Sequence, residues 1–163
     1  MEAIRKAGTF LLSVLLLGIG IGCSDTTIAP LAGFWQGQFD GSPAEATIKM
    51  RPEWTYKGYL QLYATGMKFK LHMESQAQVF DVDGIWSHKK SKIFLAPSDI
   101  KFDDFGGKLL QRPGVTPIDP TKVQDALGHP LVFDYSDNPQ KLQGLEITFG
   151  PMLGRFNFTK GQE

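Results

Sequence analysis

The sequence has one cysteine, Cys23, among 163 residues. No intrachain disulfide can form, so a small domain must be held together by packing alone. Its three histidines, His72, His88 and His129, lie far apart and lack the close spacing of a zinc site, and so no metal is expected. Neither sign of charge is in excess, with 17 Lys and Arg against 17 Asp and Glu. A nucleic-acid partner calls for a basic surplus and is not expected. No G-x-S-x-G, P-loop or H-E-x-x-H pattern occurs, so the chain is read as non-catalytic and without a cofactor. No apolar run reaches the roughly 20 residues that span a bilayer as a helix.

What is present begins with an ordered N-terminal stretch. Arg5 and Lys6 precede residues 9–23, TFLLSVLLLGIGIGC, which run from apolar to small and end at the cysteine. A basic start, an apolar middle and a small-residue end describe a secretory signal peptide. Gly20-Ile21-Gly22-Cys23 resembles the lipobox of bacterial lipoprotein precursors, with Gly20 standing where that family prefers Leu. The resemblance implies a leader over residues 1–22 and a diacylglycerol thioether on Cys23, the lipidation site that holds the protein to a membrane. Residues 24–30, SDTTIAP, read as a polar tether. Ser24 stands where Asp favours inner-membrane retention in enterobacterial lipoproteins, which implies an outer-membrane location in a bacterial envelope.

Residues 31–163 read as one domain of strand after strand. The runs are 34–39, 44–50 with Ala46, Ile48 and Met50 on one face, 56–62 with Tyr56, Leu60 and Leu62, and 67–74. In the last of these, Met67, Phe69, Leu71 and Met73 face one way and Lys68, Lys70, His72 and Glu74 the other, the mark of a strand with one buried and one wet face. Phe80, Val82 and Trp86 share a face, and 93–96 is a short apolar strand. Turns are expected at Asp40-Gly41 and Thr65-Gly66. Asp119 as N-cap and Pro120 at the first helical position open a short helix that ends at Gly128. Strands over 131–135, 142–149 and 152–159 follow. The fold class is all-β: an antiparallel barrel of about eight strands with one short helix.

Gly33-Phe34-Trp35 resembles the G-x-W signature of lipocalins and related barrels. The resemblance implies that Trp35 plugs one end of the barrel and that an Arg of the last strand, here Arg155, packs across it. Alternation, however, puts Arg155 on the face opposite Phe156 and Phe158, and Trp35 as a plain core aromatic is the other reading. Barrels of this size either fill with side chains or hold one small ligand. The residues that would line such an interior are Trp35, Tyr56, Phe69, Met73, Phe80 and Trp86. The function read from these features is a lipid-anchored, lipocalin-like protein that binds a small apolar ligand. The alternative is an interaction module or enzyme inhibitor that docks an envelope protein.

Other features are weaker. Asp81-Val82-Asp83-Gly84 starts like a calcium loop, but the twelfth position is Lys92 rather than Glu, and the calcium reading fails. Residues 88–92, HKKSK, form a basic hairpin tip that would touch anionic lipid or polysaccharide, or simply be solvated. Trp54 is placed at another tip, and Tyr59 and Tyr63 beside Lys57 and Gln61 suit either a partner surface or cross-strand pairing. His72, among lysines, is read as solvated. Residues 103–120 are too long for a hairpin turn. With Phe105, Leu109, Leu110, Val115 and Ile118 to bury and Gly106-Gly107 as a hinge, they are expected to pack with the helix over one barrel end. They would serve there as a lid, a contact surface or a plug.

Overall fold

The computed structural model describes residues 30–105, 116 and 118–161. The leader, Cys23 and most of the tether lie outside the described residues, as do Gly106 to Val115. Strands β1 (Gly33–Pro43), β2 (Lys57–Leu62), β3 (Lys68–Glu74), β4 (Gln78–Lys89) and β5 (Lys92–Asp104) come first. Helix α1 (Pro120–Leu127) follows, then β6 (Leu131–Asp137), β7 (Gln140–Gly144), β8 (Ile147–Phe149) and β9 (Met152–Lys160). Each strand pairs antiparallel with the next up to β7. β7 and β8 occupy successive stretches of one edge of β9, and β9 pairs with β1 along its other edge. The sheet therefore closes as an eight-stranded antiparallel barrel with one helix, in which β7 and β8 act as one interrupted strand. Closure gives every strand a neighbour on each side, although β5 meets β6 only over Lys92–Leu95 and the rest of that edge has no strand partner.

Alternation explains the interior. Phe69, Leu71 and Met73 are buried while Lys68 and Glu74 are exposed, and Phe80, Val82 and Trp86 repeat the pattern one strand on. In β5 the inward set changes parity, because Ser98 is an extra residue between the pairs Asp83–Asp99 and Gly84–Pro97. Ile93 and Leu95 are buried before it, and Ile100 and Phe102 pack against the core after it. This bulge carries β5 well past the short strand expected at 93–96.

Two other expectations are corrected. Asp40-Gly41 is not a turn but lies within β1, opposite Arg155 and Gly154. The strands run close together there: a Cβ on Gly154 would lie 2.3 Å from the Asp40 carbonyl oxygen. Residues 44–50 are not a strand. β1 already has β2 and β9 on its two edges, so this segment crosses the barrel end in turns, with Ala46 and Met50 exposed and only Ile48 packed against the core. The helix does match its caps, since the Asp119 side chain accepts a hydrogen bond from the Thr121 amide at 2.9 Å and Gly128 follows the last turn.

The meander gives the barrel two distinct ends. The entry end carries Gly33, Lys160 and the β2–β3, β4–β5 and β6–β7 turns. The lid end carries the β1–β2 connection, the β3–β4 and β8–β9 turns and the long β5–β6 connection with α1.

Candidate functional site

All six residues expected to line the interior are buried within one barrel. Trp35 stands at the entry end, where its indole N–H donates to the Leu31 carbonyl at 3.0 Å. The residue over its ring is not Arg155 but Lys160, whose Nζ lies 4.7 Å from the ring centroid and donates to the carbonyls of Pro30 and Ala32. Arg155 points outward and lies 3.8 Å from Glu146. Strand parity decides the matter, because Trp35 pairs in register with Lys160 whereas Arg155 pairs with Asp40. Trp86 donates its indole N–H to the Tyr63 carbonyl at 2.9 Å, and Phe69 is buried beside Gly84.

Toward the lid end the interior fills with rings. Phe149 lies 5.2 Å from Phe39, 5.1 Å from Tyr56, 5.7 Å from Phe80 and 6.0 Å from Phe156, centroid to centroid. These are the separations of touching aromatic pairs. The Tyr56 hydroxyl donates to the Gln78 side-chain carbonyl, and the Gln78 amide donates to the Ile118 carbonyl. Burial, above all, pushes the Tyr56 phenol above its ordinary pKa, so it stays protonated and donates. Gln78 was legible: it precedes Phe80 and Val82 on the same inward alternation. Alternation alone did not say that a fully buried amide would find its partners in Tyr56 and a lid carbonyl.

Thr116 and Ile118 are held at this end of the barrel by a second set of contacts. Trp54 is not an exposed tip. It is buried, and its indole N–H donates to the Thr116 carbonyl at 2.7 Å. Buried Glu53 accepts from the Thr116 amide at 3.0 Å, with the Arg51 guanidinium 3.8 Å away. Ile118, Val123 and Leu127 bury their side chains. No sequence signal identified Glu53, since a carboxylate in a short 3₁₀ turn is ordinarily exposed.

The outer surface has its own order. Phe34, Tyr59 and His72 form a row across β1, β2 and β3, with ring centroids 5.1 Å apart at both steps. His72 is half-buried rather than freely solvated, and its Nδ1 lies 2.9 Å from Asp81, which Lys70 approaches at 3.7 Å. Tyr59 is thus in a cross-strand stack, whereas Tyr63 is exposed. A groove of about 690 Å³ runs over the outer faces of β1, β9, β7 and β6, lined by the side chains of Gln36, Gln38, Asp40, Gln143, Asn157 and Thr159 among others. Asp40 accepts hydrogen bonds from Gln38 at 2.5 Å and from Asn157 at 2.6 Å. Among the described residues no group of three or more His, Cys, Asp or Glu side chains is placed to hold a metal ion. No described helix is long and apolar enough to cross a membrane.

No family model, curated protein or solved structure matches this chain.

Proposed function

We propose that this protein is a lipid-anchored lipoprotein of the bacterial envelope whose barrel is a lipocalin-like, non-catalytic binding module. The observation that carries the barrel's part of the reading is at the entry end. Trp35 of Gly33-Phe34-Trp35 is buried there under a cation from the last strand, inside a closed eight-stranded barrel. Lys160 fills the role that the lipocalin resemblance assigned to an Arg. The leader and Cys23 support lipid anchoring, and Ser24 supports the outer membrane. No metal, cofactor or nucleic acid enters this reading.

Touching rings occupy the lid half of the barrel, which favours binding on the outside. The partner is then an envelope protein, docked on the polar groove over β1 and β9 with the Phe34–Tyr59–His72 row at its side. The second reading is a small apolar ligand inside. It is favoured by the convergence of Trp35, Tyr56, Phe69, Met73, Phe80 and Trp86 on one interior, and it requires the Thr116–Ile118 contacts to open. Native mass spectrometry of the Cys23→Ala chain, beside crosslinking of the wild type in the envelope, separates them. The expected result is a bare protein mass and one crosslinked partner. A co-purifying apolar molecule would instead establish the interior reading. Labelled palmitate incorporated by Cys23→Ala would refute the lipid anchor.

A further inference from the structure

We propose that the entry end is a bilayer-facing surface that binds anionic phospholipid headgroups. The inference rests on the anchored reading for one of its observations, the path of the chain. Pro30 lies at this end, where its carbonyl accepts from Lys160 at 3.2 Å. Seven tether residues reach at most about 25 Å, at roughly 3.3 to 3.6 Å each. An anchor on Cys23 therefore joins the domain at this end, which lies within about 25 Å of the membrane.

The chemistry of the surface supplies the other observations. The β4–β5 turn presents Lys89, Lys90 and Lys92 beside His88, and Lys68 opens the neighbouring β3 opposite Ile85. Ile85 and Tyr63 are the exposed large apolar side chains here, at 60 % and 46 %. Lysines around an exposed Tyr and Ile make the pattern of an interfacial surface, with charge for phosphates and apolar groups for the headgroup boundary. Two acids of this end are already engaged: Asp134 pairs with Lys92 at 2.7 Å, and Asp137 accepts from the Tyr135 hydroxyl. The lid end mixes exposed Glu45, Asp103, Asp104 and Asp119 with Lys49, Lys101 and Lys122, so it has no comparable cluster of lysines at one turn.

Lys90 adds an independent sign. Its φ of 56° is in the left-handed region at the first position of a two-residue turn, where glycine is the usual occupant. A lysine stands at the tip although the backbone there favours glycine, and Met67 does the same at φ 49° in the β2–β3 turn.

The test is lysine acetylation footprinting of the full chain on vesicles of 7:3 phosphatidylcholine to phosphatidylglycerol. The expected result is at least tenfold slower modification of Lys68, Lys89 and Lys90 than in buffer, with Lys101 and Lys122 unchanged. Vesicles of phosphatidylcholine alone, or high salt, should remove the protection. Equal reactivity at both ends, or protection indifferent to anionic lipid, would overturn the proposal. So would protection that appears only when an envelope protein is added. The acyl mass on Cys23 is read from the same sample. Acylated Cys23 with unprotected lysines would defeat this surface and leave the anchor standing; bare Cys23 with protected lysines would do the reverse.

Discussion

The two ends of the barrel are closed by different means. The entry end is shut by short turns and by Trp35, which has Lys160 over its ring and donates to the Leu31 carbonyl. The lid end is shut by a long connection that reaches back across the opening. It is held by buried polar groups, Gln78 and Glu53, and by a cluster of five rings. The first arrangement is local in sequence except for the last strand. The second joins segments more than 60 residues apart, as in the bond from Trp54 to Thr116. The entry end is thus closed mainly by its own turns, and the lid end by buried polar and ring contacts.

The sharpest way to break this comparison is to remove the ring at the centre of the lid-end cluster. Phe149→Ala is expected to lose about 3–5 kcal/mol, the usual cost of deleting a buried phenylalanine. Urea denaturation measures it. A loss under about 1 kcal/mol would mean that the rings do not form a packed core and that the interior is open to a ligand. Gln78→Leu comes next. It leaves the Tyr56 hydroxyl and the Ile118 carbonyl without their partner, at about 1–3 kcal/mol for each buried group. Hydrogen exchange should show faster opening of α1 and the Ile118 amide while β2 and β3 stay protected. Uniform acceleration over the whole barrel would show that the lid is not a separate unit.

Much of this arrangement was legible in the sequence, and the reason is periodicity. β3, with Phe69, Leu71 and Met73 inside, and α1, with Asp119 and Gly128 as caps, follow from spacing and cap chemistry alone. Failures occur where a local signal competes with a distant neighbour. Asp40-Gly41 has turn chemistry, yet β9 runs alongside and draws both residues into β1. Trp54 looks like a tip until Thr116 arrives to cover it. Lys160, the cation over Trp35, was passed over because Arg155 fits the family pattern by residue type; alternation already argued against Arg155, and strand register brings Lys160 opposite Trp35. The six interior candidates were read correctly as inward-facing. Whether they surround a ligand or each other depends on ring-to-ring distances, which no one-dimensional pattern contains.

The entry end offers a smaller test. Lys160→Met keeps the length of the side chain over Trp35 but removes its charge and its hydrogen bonds to Pro30 and Ala32. A loss of about 1–2 kcal/mol is expected from the missing cation–π contact and the unpaired carbonyls. Lys160→Arg should restore most of it, and an Arg no better than Met would mean that the ammonium geometry, not the charge, seals this end. Alkaline pH, read with one substitution at each end, distinguishes the two. Burial holds the Tyr56 phenol protonated well above the ordinary tyrosine value of about 10. Its folded pKa is raised, so the stabilisation it gives is complete below the unfolded pKa and is lost as pH rises past 10. Tyr135, pushed up to about 12 by burial and by Asp137, acts in the same direction at the entry end. Tyr56→Phe should flatten the decline above pH 10 more than Tyr135→Phe does, because Tyr56 is the more deeply buried. Equal flattening would remove this electrostatic difference between the ends.

The smallest expected effect runs opposite in sign to the others. Lys90 holds a left-handed conformation, with φ 56°, in the β4–β5 turn. A non-glycine residue there costs roughly 1–2 kcal/mol in the folded state. Glycine would relieve that cost but lose about 0.5–1 kcal/mol to the greater freedom of the unfolded chain. Lys90→Gly should therefore stabilise the barrel by up to about 1 kcal/mol, read as a higher urea midpoint with an unchanged slope. A residue whose replacement improves the fold is not there for the fold. If Lys90→Gly is instead destabilising, the turn accommodates lysine without strain. The backbone then gives no reason to assign the tip a task outside the barrel.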